Sequence, residues 1–332
     1  MKKNISRIMI AAIALAGIAA SCGKNNPQKY NEGSVTLFAD EGFQNFVEQE
    51  RDVFEYQYPN AYILTKYMSE TDAVNGLLKD SCTMAVLSRP LTKTQIEYIK
   101  TNSKRVAKQQ EIAVDAVALI VNKDNPVDML SVGEIREMFA GSINRWTQLA
   151  WNDTTAIKLV FDREGSANVN YIQDNLMAKG AKFPSNAYAQ KNTADVIKLV
   201  EKDKNAIGFV SVSWLGDNLE KVRAQYSKEA MDTHKLNRLN TDTDTIAVDF
   251  ADNVKILKIR KDDDPIGYKP YQAYISSGQY PLFRVVWLVS TASSNSVGQS
   301  FFSFVTGFTG QKILSLTGIM PYQVHNRVVE LQ

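Results

Sequence analysis

The chain contains little cysteine and little histidine. Its 332 residues include two cysteines, Cys22 and Cys82, and two histidines, His234 and His325. Cysteine pairs cannot supply a metal site here, and the two histidines do not have the spacing of metal ligands. No order of serine, cysteine, histidine and acidic residues suggests nucleophilic catalysis. We therefore expect no metal ion, no cofactor and no enzymatic activity.

Neither sign of charge dominates the composition. Lysine and arginine number 38 and aspartate and glutamate 36, which gives a formal net charge of +2. Three of the basic residues, Lys2, Lys3 and Arg7, lie in the first 21 residues, where no acidic residue occurs. The rest of the chain thus has 35 basic and 36 acidic residues, a formal charge of −1. Nucleic-acid binding through bulk positive charge is therefore not expected.

The N-terminal apolar run is too short to span a bilayer comfortably. It extends from Ile8 to Ala20 and follows the basic residues, a pattern typical of a secretory signal peptide over residues 1–21. The small residues before Cys22 resemble a bacterial lipobox, which would make Cys22 the lipidated first residue of the mature protein. The alternative is an ordinary signal peptide with a chance cysteine. Residues 22–33 have the polar composition of a tether.

Strand and helix patterns alternate in the segment that follows the tether. The apolar spacing predicts strands at 35–39, 61–67 and 84–87 and helices at 43–56, 70–79 and 93–101. This order is typical of a parallel sheet with helices packed on it. We therefore predict an α/β fold.

A buried strand is predicted where the chain passes from one lobe to a second. Ile112 to Val121 is apolar except for Asp115, and a charged residue inside such a strand often marks a place where two bodies meet. Ser131 and Glu134 then form a capping box for a short helix. We place lobe 1 at residues 34–115 and 285–332, and lobe 2 at residues 116–284.

The second half of the chain supplies the elements of lobe 2 and the return to lobe 1. Strands are predicted at 157–161, 206–211 and 285–289, helices at 169–178 and 195–202, and one terminal helix from the segments 300–305 and 311–315. Residues 216–265 are polar, and we interpret them as a loop or surface insertion with one strand at 254–259.

Several segments in sequence order resemble the substrate-binding proteins of phosphate ABC transporters. They are VNKDNPV at 121–127, FAGSINRWTQL at 139–149, SRPL at 88–91, AIGFV at 206–210, YPLFR at 280–284 and GQKIL at 310–314. The resemblance implies the two-lobe type II periplasmic-binding-protein fold, with a parallel or mixed sheet in each lobe and a hinge of two crossing strands. It also implies a monomeric extracytoplasmic lipoprotein, anchored to the membrane, that captures inorganic phosphate between the lobes for a permease.

Three turns that open helices are the candidate binding segments. A helix N-terminus presents unpaired N–H groups and the positive end of a dipole, so several such ends facing one cleft could hold a small anion. The family binds its ligand at matching places. The candidate ligand-binding residues are Gly42, Phe43, Ser69, Thr71, Ser88, Arg89, Arg163, Gly165, Ser166, Ala167 and Asn168.

The segment from Gly165 to Asn168 is similar to the family's GSGT motif. Ser166 could donate through its hydroxyl and its backbone N–H, and Arg163 could supply a charged contact. The chain departs from the motif at Ala167 and Asn168. The alternative is that this segment only caps the start of a helix and binds no ligand.

The other candidates also have alternatives. Ser69 could be only a helix cap. Ser88 stands where some family members carry aspartate. Arg89 could reach the anion or pair with a carboxylate such as Asp115. The largest departure is the acidic pair before Gly42, at residues 40 and 41, because two carboxylates would repel an anion unless they point away.

The sequence is also compatible with two other functions. The ligand could be another oxyanion, such as sulfate, molybdate or tungstate, or a different anionic solute. The departures from the family motif could also mean a surface lipoprotein that keeps the fold for partner binding. An enzyme would need a titratable residue in the cleft, and Asp115 is the obvious candidate there.

Overall fold

The computed structural model describes residues 30–149, 151–217, 219–241 and 250–323. The predicted signal peptide, Cys22 and most of the predicted tether lie outside the described residues. The strands are β1 Gly33–Asp40, β2 Ala61–Met68, β3 Met84–Leu87, β4 Lys108–Val121, β5 Met129–Ser131, β6 Lys158–Phe161, β7 Ala187–Ala189, β8 Ala206–Ser211, β9 Lys255–Ile256, β10 Lys258–Arg260, β11 Phe283–Ser290 and β12 Met320–Pro321.

Helices connect most of these strands. They are α1 Gln44–Gln57, α2 Glu70–Leu78, α3 Lys93–Ser103, α4 Val132–Ala140, α5 Ala167–Asn175, α6 Thr193–Lys202, α7 Leu219–Tyr226, α8 Thr233–Thr241, α9 Gln272–Ser276, α10 Val297–Thr306 and α11 Phe308–Leu316. Single 3₁₀ turns occur at Glu41–Phe43, Trp146–Gln148 and Val212–Trp214.

The main sheet has the strand order β2-β1-β3-β11-β4-β8-β6-β7. β1 is parallel to β2 and β3, whereas β11 is antiparallel to β3 and β4. On the other side β6 is parallel to β7 and β8, and β4 is antiparallel to β8. We call the part built on β1, β2, β3 and β11 lobe 1 and the part built on β6, β7 and β8 lobe 2. The predicted α/β class with a mixed sheet in each lobe is confirmed.

Strand β4 belongs to both lobes. Residues 108–116 pair with β11, and residues 117–121 pair with β8. Every residue from Ile112 to Val121 is buried, which explains why the run is apolar. The one charged residue in it, Asp115, pairs in register with Arg284 of β11. The change of neighbours therefore falls between Ala116 and Val117, one residue beyond the charged residue that the sequence singled out.

Each lobe has its own apolar core. The lobe 2 core packs α4 and α5 against β4, β6 and β8, and Trp146 is fully buried in it. The lobe 1 core packs α1, α10 and α11 on one face of the sheet and α2 and α3 on the other. The free thiol of Cys82 is buried in the second of these clusters.

The interpretation of 216–265 as a loop or insertion of lobe 2 is wrong for its first part. Residues 219–241 contain α7, α8 and their connection, and the buried side chains Val222, Met231 and Leu239 of this segment pack against Val53 and Ile313 of lobe 1. Both helices are largely polar and offer only one or a few apolar anchors each, so their periodicity in the sequence is weak.

Across the described ranges, every helix is too short or too polar to cross a lipid bilayer.

Candidate functional site

Polar residues from both lobes meet where strands end and helices begin. In lobe 1, β1 ends at Asp40 and α2 begins at Glu70 after the cap Ser69. In lobe 2, β6 is followed by Asp162 and α5 begins at Ala167. Open α/β sheets place their ligands at such strand ends. We take this junction as the candidate site.

The carboxylate of Asp40 lies at the centre of the junction and is fully buried. Its Oδ1 accepts a hydrogen bond from Gly42 N at 2.9 Å. Its Oδ2 accepts two more, from Glu70 N at 3.0 Å and from Ala167 N at 2.9 Å. The last two donors are the first residues of α2 and α5, one in each lobe. Three backbone N–H groups from three separate segments therefore converge on one carboxyl group.

Such a convergence has a clear chemical meaning. The N–H groups of a first helical turn have no intrahelical partner, and the helix dipole favours negative charge beside them. Two helix starts and a 3₁₀ turn aimed at one point form an anion-binding position. In this structure the acceptor at that position is the carboxyl group of the chain's own Asp40.

A second buried carboxylate, Glu70, lies beside the first. Its Oε1 accepts from Ser88 N at 2.5 Å and from Ser88 Oγ at 2.7 Å. Its Oε2 accepts from Asn170 Nδ2 at 2.8 Å and lies 3.4 Å from Arg89 Nε. The hydroxyl and the backbone donor of Ser88 are therefore both directed at Glu70.

A third carboxylate, Asp162, anchors the start of α5. The hydroxyl of Ser166 donates to Asp162 Oδ1, and Asn168 Nδ2 donates to Oδ2 at 2.9 Å. The same Ser166 hydroxyl accepts from Val169 N at 3.1 Å as the helix cap. Ser166 is thus fully engaged in local structure.

Arg284 is the buried cation of the junction. Its Nε and Nη2 donate to Asp115 Oδ2 at 3.0 and 2.7 Å, and Nη2 also donates to Asn168 Oδ1 at 2.8 Å. Its guanidinium carbon lies 5.1 Å from the ring centroid of Phe43. Its Nη1 is buried and has no hydrogen-bond partner within the described structure. Arg284 therefore keeps one donor unused beside a group of carboxylates.

The electrostatics of the junction favour protonation of its acids. Burial, and then the charge of Asp162, raise the pKa of Asp40 to about 8, although the bonds from Ala167 and Gly42 lower it. Burial raises the pKa of Asp162 to about 6 against the lowering effect of Ser166 and Arg284. Carboxyl groups that share a desolvated site cannot all ionise easily. Protons are therefore part of the charge balance here.

Further contacts join the lobes around this centre. Arg163 of lobe 2 pairs with Glu41 of lobe 1 at 2.5 Å. Thr71 N donates to Gly165 O at 3.1 Å, and Trp214 Nε1 donates to Gly42 O at 3.0 Å. Gly165 has a φ of +72°, and a side chain there would meet Thr71 Oγ1 at 3.1 Å. Glycine at 165 thus satisfies both the backbone conformation and the close approach of the lobes.

All the predicted ligand residues gather at this junction, but most of their donors already have partners in the chain. Ser69 caps α2, accepting from Asp72 N and donating to Asp72 Oδ2. Phe43 is buried and lies under Arg284. The hydroxyls of Ser69 and Ser166 cap helices in this structure, as the alternative interpretation of these two residues predicts. Whether any of these residues contacts a ligand stays a prediction.

For three charged residues the structure selects among the alternatives that the sequence left open. Asp40 does not point away from the site; its carboxylate occupies the centre. Arg89 does not pair with Asp115, but with Glu70 and, at 3.7 Å, with Asp174. Asp115 instead pairs with Arg284, in the register that β4 and β11 impose.

Sequence reasoning missed Glu70, Asp162 and Arg284 as site residues. A signal for Arg284 was present, because it is a lone charge in an otherwise apolar strand, as Asp115 is in β4. Two such charges in neighbouring strands favour a buried ion pair. The sequence around Glu70 does not indicate a site residue, because acidic residues are common in the first turn of a helix after a serine cap.

The fold and the ring of helix starts between the lobes define the class as two-lobe solute-binding proteins of the type II periplasmic kind. A family model described as the PBP superfamily domain matches residues 23–307. The chain therefore belongs to the PBP superfamily, a family of solute-binding proteins.

Two relatives indicate the branch of the family. The phosphate-binding protein PstS of Pseudomonas aeruginosa is 20% identical over 326 residues, which cover 94% of this chain and 90% of the relative. The phosphate-binding protein PstS of Bacillus subtilis is 24% identical over 229 residues, covering 66% of this chain and 74% of the relative.

Solved structures share the fold. A Clostridium perfringens protein with bound phosphate, assigned as the substrate-binding protein of a phosphate ABC transporter, superposes with a TM-score of 0.68 at 21% identity, covering 88% of this chain and all of the other. An ABC-type phosphate transport receptor from Vibrio cholerae gives 0.59 at 17% identity, covering 87% of this chain and all of the other.

Proposed function

We propose that the protein is an extracytoplasmic solute-binding lipoprotein that captures inorganic phosphate between its lobes and delivers it to the permease of an ABC transporter. The observation that carries this proposal is the convergence of three backbone N–H groups, from Gly42, Glu70 and Ala167, on one buried carboxyl group. The relatives, which are phosphate-binding proteins, support the choice of anion.

The proposed mechanism needs no cofactor and no chemical step. A dehydrated tetrahedral oxyanion would be held by backbone N–H groups from both lobes, and the unused Nη1 of Arg284 could add a charged donor. Because the donors come from both lobes, a bound anion favours the closed arrangement. The closed form would be the one that the permease recognises.

We also propose that the protein acts as a monomer, has no catalytic activity and is held at the membrane by lipidated Cys22. Cys22 lies outside the described residues, so its support is the pattern of basic, apolar and small residues before it. A diacylated cysteine provides two hydrocarbon chains, which suffice for stable anchoring.

One observation favours a second candidate function. The buried carboxyl groups of Asp40, Glu70 and Asp162 already satisfy most donors of the junction. A chain whose donors are satisfied internally could keep the closed fold as a partner-binding lipoprotein and have no use for a free anion. Another oxyanion, such as sulfate or molybdate, is the remaining alternative within solute binding.

Isothermal titration tests the proposal. The purified protein is unfolded and refolded to remove carried-over solute, and is then titrated with phosphate, arsenate, sulfate and molybdate. Phosphate binding that is tighter than sulfate binding supports phosphate capture. If the folded protein gives heat with sulfate or molybdate but not with phosphate, the ligand is a different oxyanion. If it gives no heat with any of the four anions, the partner-binding function is favoured.

A backbone variant locates the site. Ala167 is the first residue of α5, where proline is geometrically tolerated, and Ser166 before it already has the extended conformation that precedes proline. Ala167→Pro removes one N–H donor, so phosphate affinity should fall on the order of tenfold. The matched control is Lys93→Pro, at the exposed start of α3, which should leave affinity unchanged.

A further inference from the structure

We propose that Asp40 is an internal ligand: its carboxylate bridges the two lobes at the anion position and competes with the captured solute for the same donors. The competition part rests on the proposed function, whereas the bridging part does not. Asp40 would then be the residue that sets both the affinity of the site and the ease with which the lobes separate.

The two oxygens of Asp40 have different tasks. Oδ1 accepts from Gly42 N, two residues on, as a local cap of the 3₁₀ turn. Oδ2 takes no part in this cap. It accepts from Glu70 N and Ala167 N, 30 and 127 residues away in sequence. A cap requires one oxygen, so the second oxygen is available to hold one lobe to the other.

The donors at this position cannot serve two anions at once. Each backbone N–H makes one strong hydrogen bond, and a solute held by Glu70 N and Ala167 N would have to take these donors from Asp40. The nearby carboxyl groups of Glu70 and Asp162 are themselves buried and hydrogen-bonded, so an anion placed beside Asp40 would face further acceptors and not donors. Entry of a solute therefore requires Asp40 to leave.

The residue next to Asp40 strengthens the same bridge. Glu41 pairs with Arg163 of lobe 2, and the carbonyl of Gly42 accepts from Trp214 Nε1 and from Ser213 Oγ at 3.2 Å. Three consecutive residues of one turn thus contact lobe 2 with acceptor groups. Loss of the Asp40 contact should weaken this turn as a unit, because its neighbours lie on the same short segment.

The test compares four forms of the protein by small-angle X-ray scattering without solute and by titration with inorganic phosphate. They are the parent, Asp40→Ala, Asp40→Asn and Ala167→Pro. Asp40→Asn keeps the shape of the side chain and covers the case in which Asp40→Ala fails to fold. Asp252→Asn, whose side chain is fully exposed at the surface of lobe 2, is the matched control.

If Asp40 is an internal ligand, two variants should change the radius of gyration in the same direction and the phosphate affinity in opposite directions. Asp40→Ala and Ala167→Pro both break the bridge, so both should increase the radius of gyration measured without phosphate. Their phosphate affinities should move in opposite directions. Asp40→Ala frees the donors and should bind on the order of tenfold more tightly than the parent, whereas Ala167→Pro removes a donor and should bind more weakly.

Other results separate this inference from the proposed function. If Asp40→Ala opens without phosphate but neither it nor the parent binds phosphate, Asp40 is a bridge and phosphate capture is wrong. If the parent binds phosphate while Asp40→Ala binds it less tightly or equally, the competition is wrong. If the parent and both Asp40 variants have the same radius of gyration, the bridge is wrong.

Discussion

At the scale of single residues, the site combines anion donors with an excess of acids. Asp40, Glu70, Asp115 and Asp162 are all buried, and Arg284 is the buried cation that faces them. A buried carboxyl that carries a proton in the folded state and loses it on unfolding makes stability depend on pH. Asp40 is such a group, because burial raises its pKa to about 8.

We predict that the protein loses stability as the pH rises from about 4 to about 8. Within this window the folded state holds the Asp40 proton and the unfolded state does not, so the free energy of unfolding falls by at most about 1.4 kcal/mol per pH unit for one proton. Below the window both states are protonated, and above it both are ionised. Urea unfolding at a series of pH values measures the slope.

Asp40→Asn should remove the contribution of the Asp40 proton to the slope of the free energy of unfolding against pH, because the amide does not titrate. Asp252→Asn, at an exposed position, should leave the slope as it is in the parent. An unchanged slope in Asp40→Asn would assign the pH dependence to other buried acids, such as Glu50, whose pKa burial also raises.

The ion pair of Asp115 and Arg284 shows what could be predicted at this scale. A lone charge in an apolar strand indicated a special position, and Asp115 does lie where β4 changes partners. Its partner was not predicted, because pairing depends on the register of β4 against β11, which are far apart in sequence. The inward direction of Asp40 was missed for a similar reason: the donors that make it favourable belong to two other segments.

At the scale of elements, patterns with strong periodicity were predicted well and polar helices were not. The capping box of Ser131 and Glu134 is present, and α4 ends at Gly141 with a φ of +83°. Here local chemistry alone determines both ends. The helices α7 and α8 escaped prediction because tertiary packing on lobe 1, and not their own sequence, decides their placement.

We predict that Leu239→Ala in α8 destabilises the protein by about 2–5 kcal/mol, the usual range for a buried leucine. Leu239 is 2% exposed and packs with residues of α1 and α11. The matched control is Leu64→Ala in β2, where the side chain is 51% exposed and the loss should stay within about 1 kcal/mol. Urea unfolding of both variants makes the comparison. Equal small losses would mean that α8 is not part of the packed fold.

At the scale of the whole molecule, the two lobes meet through many polar contacts and share one strand. The order of the elements and the class of the fold could be predicted, since they follow from alternating patterns and from the family resemblance. The assignment of residues 219–241 to a lobe could not, because sequence order places them in lobe 2 and packing places them against lobe 1.

A prediction at this scale concerns the membrane anchor. Cys22→Ala should move the protein from the membrane fraction to the soluble fraction, since the substitution removes the acylated sulfur. Fractionation followed by immunoblotting measures the distribution. Cys82→Ala is the matched control, because its thiol is buried in lobe 1 and should have no part in anchoring. Retention of Cys22→Ala at the membrane would contradict the lipoprotein proposal.

The position of β11 in the sheet also has a consequence for how the protein is made. β11 lies between β3 and β4, although it follows both of them late in the chain. A chain that emerges N-terminus first must therefore wait, with the facing edges of β3 and β4 unpaired, until residues 283–290 arrive. Unpaired strand edges attract wrong partners. The interval between synthesis of β4 and synthesis of β11 is thus the time at which this protein most needs a chaperone.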